Sequence, residues 1–133
     1  MNVLDFVKPL REVIFVYEDD SVSSAVETIR KHRFASIPIL NRSGNFVGTL
    51  TEGDLLRFIF EYGEGSINIY NVYGIERYRD YVAVSTKATI QELIGRASDE
   101  NFVPIVDDQD KFIGIVTRKT LLNYFFEHNF IIL

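Results

Sequence analysis

Apolar and polar positions along the chain change rhythm in a fixed order, and that order occurs twice. VIFVY (13–17) and YVAVS (81–85) are short apolar runs rich in β-branched and aromatic residues, the pattern of a strand. Residues 18–32 then place Val22, Ala25, Val26 and Ile29 at helical spacing, with Asp20 or Ser21 available to cap the start. Residues 85–97 repeat this with Ile90, Leu93, Ile94 and Ala97, and Thr86 or Thr89 as the cap. SIPIL (36–40) and FVPIV (102–106) follow as second strands. Proline has no N–H to give a ladder, so Pro38 and Pro104 are expected at a sheet edge or a bulge. NRSGN (41–45) and DDQDK (107–111) read as turns, FVGTL (46–50) and FIGIV (112–116) as third strands. LLRFIFEYG and LLNYFFEHN are second helices, apolar on several sides and expected to be well buried.

The two series match residue by residue. A shift of 66 places Pro38 on Pro104, Phe46-Val47-Gly48 on Phe112-Ile113-Gly114, Thr51 on Thr117 and Phe60 on Phe126. Earlier in each half the shift is 68, which lays REVIFV (11–16) on RDYVAV (79–84) and Val22, Ala25 and Ile29 on Ile90, Leu93 and Ala97. The second copy therefore lacks two residues between its first helix and its middle strand. The resulting division is repeat one over 1–62, a linker over 63–78, and repeat two over 79–133 with the apolar tail NFIIL. A unit of about 60 residues is marginal by itself, so the two repeats are expected to pack together in a mixed α/β (α+β) fold. The linker is rich in tyrosine and lacks the Gly/Ser composition of a flexible tether.

Composition narrows the function. The net charge of −5 leaves no basic footprint for non-specific nucleic-acid binding. The absence of cysteine excludes disulfides, thiolate nucleophiles and cysteine-bound metals, and no other metal-ligating cluster stands out. No apolar run reaches the ~18–20 residues of a membrane span. The start MNVLDFVKPLRE lacks the layout of a secretory signal, so the expected location is the cytoplasm. His32 lies at a helix end, where it suits the dipole; His128 is expected to be exposed. Asp107, Asp108 and Asp110 lack the order of a calcium loop and read as a solvated turn.

The duplicated strand–helix–strand–strand–helix unit, its Ile37-Pro38-Ile39 and Val103-Pro104-Ile105 strands and its Gly48-x-x-Thr51-x-x-Asp54 motif together resemble a tandem pair of CBS domains, the Bateman module. The resemblance covers about residues 3–126. It implies two repeats packed pseudo-symmetrically into one module, with adenosine-containing ligands bound in clefts between them. It also implies pairing into dimers and control of a partner protein. Each such cleft takes its Thr-x-x-Asp from one repeat and the residues flanking the proline from the other. The implied ligand contacts are therefore Gly48, Thr51 and Asp54 with Phe102, Val103 and Pro104, and Thr117, Arg118 and Thr120 with Ser36, Ile37 and Pro38.

Physical reasons support part of this set. Gly48 would admit a ligand close to the backbone. Thr51 opens a helix, whose free N–H groups suit phosphate. A carboxylate such as Asp54 accepts both hydrogen bonds of a ribose diol. The same Thr-x-x-Asp spacing is also that of a capping box, in which Thr51 caps the helix and Asp54 bonds back to its start. The two roles are compatible. The second copy keeps Thr117 but has Thr120 in place of the aspartate, which weakens a ribose contact there. It also has Arg118-Lys119, two cations at a helix start, either solvated or suited to a phosphate.

The leading expectation is a non-catalytic adenine-nucleotide sensor for AMP, ADP, ATP or a cyclic di-AMP-like ligand, with no cofactor or metal, acting on an unidentified partner. A protein-interaction scaffold with vestigial clefts is the alternative. An enzyme is the weakest reading, since no nucleophile–base arrangement or long phosphate loop is apparent.

Overall fold

The computed structural model describes residues 2–129, Asn129 without its side chain, so the packing expected of the tail NFIIL lies outside the described residues. In chain order the elements are β1 (Lys8–Pro9), β2 (Val16–Tyr17), α1 (Val22–His32), β3 (Ser36–Leu40), β4 (Phe46–Thr51), α2 (Glu52–Tyr62), β5 (Val84–Ser85), α3 (Ile90–Asp99), β6 (Phe102–Val106), β7 (Phe112–Thr117) and α4 (Arg118–Asn129). Short 3₁₀ turns occupy Val3–Asp5, Leu10–Glu12, Glu64–Asn68 and Val72–Gly74. This is the mixed α+β, twice-repeated order that the hydrophobic pattern predicts.

The chain forms two compact units: a central one, Ile14–Tyr81, and a terminal one made of Met1–Val13 and Val82–Leu133. In the central unit the sheet order is β2-β3-β4, with β2 parallel and β4 antiparallel to β3. The terminal unit repeats this as β5-β6-β7 and adds β1, antiparallel to β7 through Lys8↔Ile115 and Pro9↔Gly114.

Local chemistry sets the element ends. The Ser21 hydroxyl accepts the Ser24 N–H at 3.0 Å and starts α1, which ends at Arg33 in the left-handed region (φ 57°). Thr89 starts α3 in the same way, accepting the Glu92 N–H at 3.1 Å. Of the candidate caps, the later one is used in each repeat.

Of the two placements expected of Pro38 and Pro104, an edge or a bulge, the edge is not found: both lie on central strands, next to an irregularity in the pairing. The strands β2 and β5 reach only Ile39–Leu40 and Ile105–Val106, so neither flanking strand runs beside the proline. The pairing with β4 and β7 shifts register one residue later, between Ile39 and Leu40 and between Ile105 and Val106. The missing donor therefore disrupts no long ladder.

The two cores are built from equivalent positions. Val16, Ile37, Ile39, Leu50 and Leu55 pack in the central unit where Val84, Val103, Ile105, Val116 and Leu121 pack in the terminal one. On the first helices the bulk is exchanged: Ala25 and Ile29 correspond to Leu93 and Ala97, a near volume-conserving swap. Each core is then completed by a segment that leads into the other repeat. Val72 and Ile75, which precede repeat two, close the central core; Val3 and Phe6, at the start of repeat one and ahead of its first predicted strand, close the terminal core. The linker packs through Val72 and Ile75 and through backbone bonds, the Val22 N–H donating to Tyr70 O and the Val72 N–H to Asp20 O, each at 2.9 Å. The tyrosines expected to pack it, Tyr70, Tyr73 and Tyr78, are exposed.

The second helices differ from expectation. Leu55 and Phe58 of α2 are buried, but Leu56 and Phe60 are 68% and 90% exposed. On α4, Leu121 is buried while Leu122 and Phe126 are 69% and 66% exposed. An apolar residue on every side of a helix cannot reach one sheet, so the outer apolar stripe stays largely exposed among the described residues.

Candidate functional site

The strand-to-helix junctions that follow Gly48 and Gly114 carry the predicted site residues. In the central unit, the Thr51 hydroxyl accepts the Asp54 N–H and Asp54 Oδ2 accepts the Thr51 N–H, both at 3.0 Å. This is the capping box that the spacing allows. Asp54 is fully buried, and its other oxygen is also engaged. Asp54 Oδ1 accepts the Tyr78 N–H at 2.9 Å and Arg57 Nη2 at 2.6 Å.

Gly48 does admit a close approach, and the group that makes it is Asp80. A Cβ at Gly48 would stand 2.5 Å from Asp80 Oδ1. That oxygen accepts the Thr49 N–H at 2.9 Å, and Arg77 donates to both Asp80 oxygens at 2.7 and 3.0 Å. The buried Thr49 hydroxyl accepts the Tyr81 N–H at 3.1 Å. Burial pushes the Asp80 carboxyl up, but the Arg77 hydrogen bond, the Thr49 N–H and the Arg77 charge outweigh it and hold it below the ordinary carboxylate range. The Arg77 guanidinium is in turn raised, chiefly by its hydrogen bond to Asp80. Beside this segment lies a cavity of about 310 Å³ of mixed charge, lined by Arg57, Arg77, Glu61 and Glu76 together with Phe58, Tyr62, Gly74 and Tyr78.

The terminal unit has the same junction with different chemistry. The Thr117 hydroxyl accepts the Thr120 N–H at 3.2 Å, and the two hydroxyls lie 3.0 Å apart. Both threonines are half-buried. Arg118 turns back onto the end of α3: Nε donates to Ala97 O at 2.7 Å, with longer contacts of 3.4 Å to Ser98 O and Asn101 Oδ1. A cation at a helix start is thus placed on the carbonyls of another helix's last turn, where the dipole favours it. Gly114 faces backbone: a Cβ there would stand 2.1 Å from Lys8 O.

Of the predicted residues, Ser36, Ile37, Pro38, Gly48, Thr51 and Asp54 belong to the central unit, where Ser36 pairs with Thr51 and Pro38 with Thr49. Phe102, Val103, Pro104, Thr117, Arg118 and Thr120 belong to the terminal unit, where Phe102 pairs with Thr117 and Pro104 with Ile115. Ile37 and Val103 point into the hydrophobic cores of their own units. Elsewhere, His128 is exposed with its ring stacked on Tyr124, and Asp107 Oδ1 organises its turn by accepting the Gln109 and Lys111 N–H groups.

Sequence reasoning missed Asp80, Arg77, Tyr78, Arg57 and Thr49. The sequence held a signal for two of them, Asp80 and Thr49. The Arg-acid pair Arg11-Glu12 recurs as Arg79-Asp80 at the 68-residue shift. Thr49 is a polar residue within an apolar strand, and a buried hydroxyl requires a partner.

The CBS domain family matches residues 4–61 and 75–127. The chain therefore belongs to the CBS domain family, as a tandem pair. An uncharacterized protein of Methanocaldococcus jannaschii is 22% identical over 85% of this chain and 86% of its own length. Three further curated relatives are longer, and the chain spans 32%, 13% and 21% of them. Among solved structures, CbpB in complex with c-di-AMP superposes with a TM-score of 0.87 at 18% identity, over 98% of this chain and 89% of that one. CBSX2 in complex with AMP gives 0.74 at 22% identity, over 96% and 98%. At these identities the likeness establishes the fold. No helix among the described residues is long and apolar enough to cross a membrane.

Proposed function

We propose that this chain is a regulatory, non-catalytic module that binds an adenine nucleotide (AMP, ADP, ATP or a c-di-AMP-like ligand) in the cytoplasm and transmits its occupancy to a partner protein. The observation that carries this reading is the duplicated junction in a CBS pair: glycine in a strand, then a threonine at the start of the next helix, at Gly48/Thr51 and Gly114/Thr117. A helix start of this kind offers N–H donors to phosphate, and Asp54 supplies a ribose acceptor in the first copy. That two proteins of the same fold carry AMP and c-di-AMP in their solved structures supports the ligand class.

In this reading Gly48, Thr51 and Asp54 contact the nucleotide, Thr117 and Thr120 form a weaker ribose contact, and Arg118 reaches phosphate by releasing the end of α3. Ser36, Ile37, Pro38, Phe102, Val103 and Pro104 contribute their strand backbone to the base. The exposed pairs Leu56/Phe60 and Leu122/Phe126, at equivalent repeat positions, support pairing with a second copy. Phe60→Glu should then yield a smaller species by light scattering.

Thermal denaturation against a panel of AMP, ADP, ATP, S-adenosylmethionine and c-di-AMP tests the reading. A ligand at 100 times its Kd adds about 2.7 kcal/mol and raises the midpoint by several degrees. Arg118→Ala should weaken phosphorylated ligands more than adenosine. A second reading, a scaffold with vestigial sites, is favoured by the internal engagement of Asp54 and Arg118. It predicts no midpoint shift with any member of the panel.

A further inference from the structure

Residues 76–80 form a strap across the first junction, pinned between two anchors: Ile75, which is buried in the central core, and Tyr81, which is buried beside Thr49. The strap itself buries little. Tyr78 is 86% exposed, and Arg79 and Asp80 are exposed as well. Polar contacts hold it: the Tyr78 N–H on Asp54, and the Asp80 carboxylate on the Thr49 N–H and Arg77.

These contacts have the chemistry of a nucleotide. The Tyr78 N–H donates to Asp54 Oδ1 as a ribose hydroxyl would. Asp80 presents an anion to a backbone N–H and a guanidinium, the same donors that receive phosphate. Gly48 is what lets that anion reach the backbone, since a Cβ would collide with it. The strap borders the cavity lined by Arg77 and Tyr78, which leaves room for these residues to move.

We propose that the 76–80 strap is a built-in competitor for the nucleotide site of the first junction, and that a ligand binds there only when Tyr78 leaves Asp54 and Asp80 leaves Thr49. This rests on the nucleotide reading above and adds its regulation. The apparent affinity is the intrinsic affinity reduced by the fraction of molecules with the strap open. Anything that pulls on the linker, a partner protein included, then changes nucleotide affinity without touching the site.

The test is calorimetric titration of AMP and of c-di-AMP into the wild-type chain and the Asp80→Ala variant. The variant removes the anion and leaves Gly48, Thr51 and Asp54 intact. Binding should tighten by about 5–10-fold. Unchanged or weaker binding by a variant with a normal melting curve overturns the strap while the nucleotide reading stands. No binding by either protein overturns both. Amide exchange on the wild-type chain gives an answer that needs no variant. Saturating AMP should speed exchange at Tyr78, and equal or greater protection there would overturn the proposal.

Discussion

The central and terminal units carry one design with two different closures. In both, a glycine on the third strand is met by the segment that leads into the other repeat. In the central unit the meeting group is a side chain, Asp80, while in the terminal unit it is backbone, Lys8 O, in a strand pair. A side chain can rotate away at the cost of two or three hydrogen bonds. A strand pair cannot leave without losing ladder bonds and the β1 register. The first junction is therefore the adjustable one and the second the fixed one. The helix starts differ in the same sense. Asp54 is a buried carboxylate with three donors on it, and Thr117 and Thr120 share two hydroxyls.

The comparison can be broken first at its common part. Ile39→Ala and Ile105→Ala each remove a fully buried side chain at equivalent strand positions, and each should cost about 2–5 kcal/mol in urea denaturation. A loss at only one of them would end the equivalence of the two cores. The glycines sharpen the contrast. Gly114→Ala meets backbone at 2.1 Å with φ at +155°, so a loss of about 3 kcal/mol is expected. Gly48→Ala meets the movable Asp80 carboxylate, and about 1–2 kcal/mol should suffice. Equal losses would mean that the strap is as rigid as the strand pair.

Next in size is the pair Asp54→Ala and Thr120→Ala. The first leaves the Thr51 and Tyr78 N–H groups and Arg57 without their acceptor, and should cost about 2–3 kcal/mol together with affinity for ribose-containing ligands. The second removes one hydroxyl contact and should cost about 0.5–1 kcal/mol. The smallest effect concerns pH. Asp80 is held below the ordinary carboxylate value, so its contribution is present above about pH 4 and lost as pH falls through the lowered folded value. Asp80 stays ionised from pH 5 to 8, so exchange at Thr49, whose N–H it accepts, corrected for its intrinsic rate, should be flat across that window. It should rise only in stronger acid, and Asp80→Asn should remove that rise.

Much of this was legible in the chain itself. The double rhythm of apolar positions located ten of the eleven regular elements to within a few residues, because helix and strand periods follow from local geometry; the two-residue β1 carries no such rhythm. The capping box was legible for the same reason: Thr51 and Asp54 lie three residues apart and interact within one turn. What stayed hidden was non-local. Asp80 reaches Thr49 across 31 positions, and Arg118 reaches Ala97 across 21. No local pattern encodes such meetings, and Arg57, Arg77 and Asp80 look in the sequence like ordinary surface charges.

The sequence by itself determined the repeat, the order of its elements and the residues that form each core, since these depend on period, volume and hydrophobicity along a few neighbouring positions. Only the tertiary structure decided which segment closes which core, and that the linker lies on the junction its own charges can satisfy. The physical reason is that apolar burial is indifferent to chain order: Val72 and Ile75 fill the central core as well as any residue of the first repeat could, and in doing so carry Arg77, Tyr78 and Asp80 to Gly48.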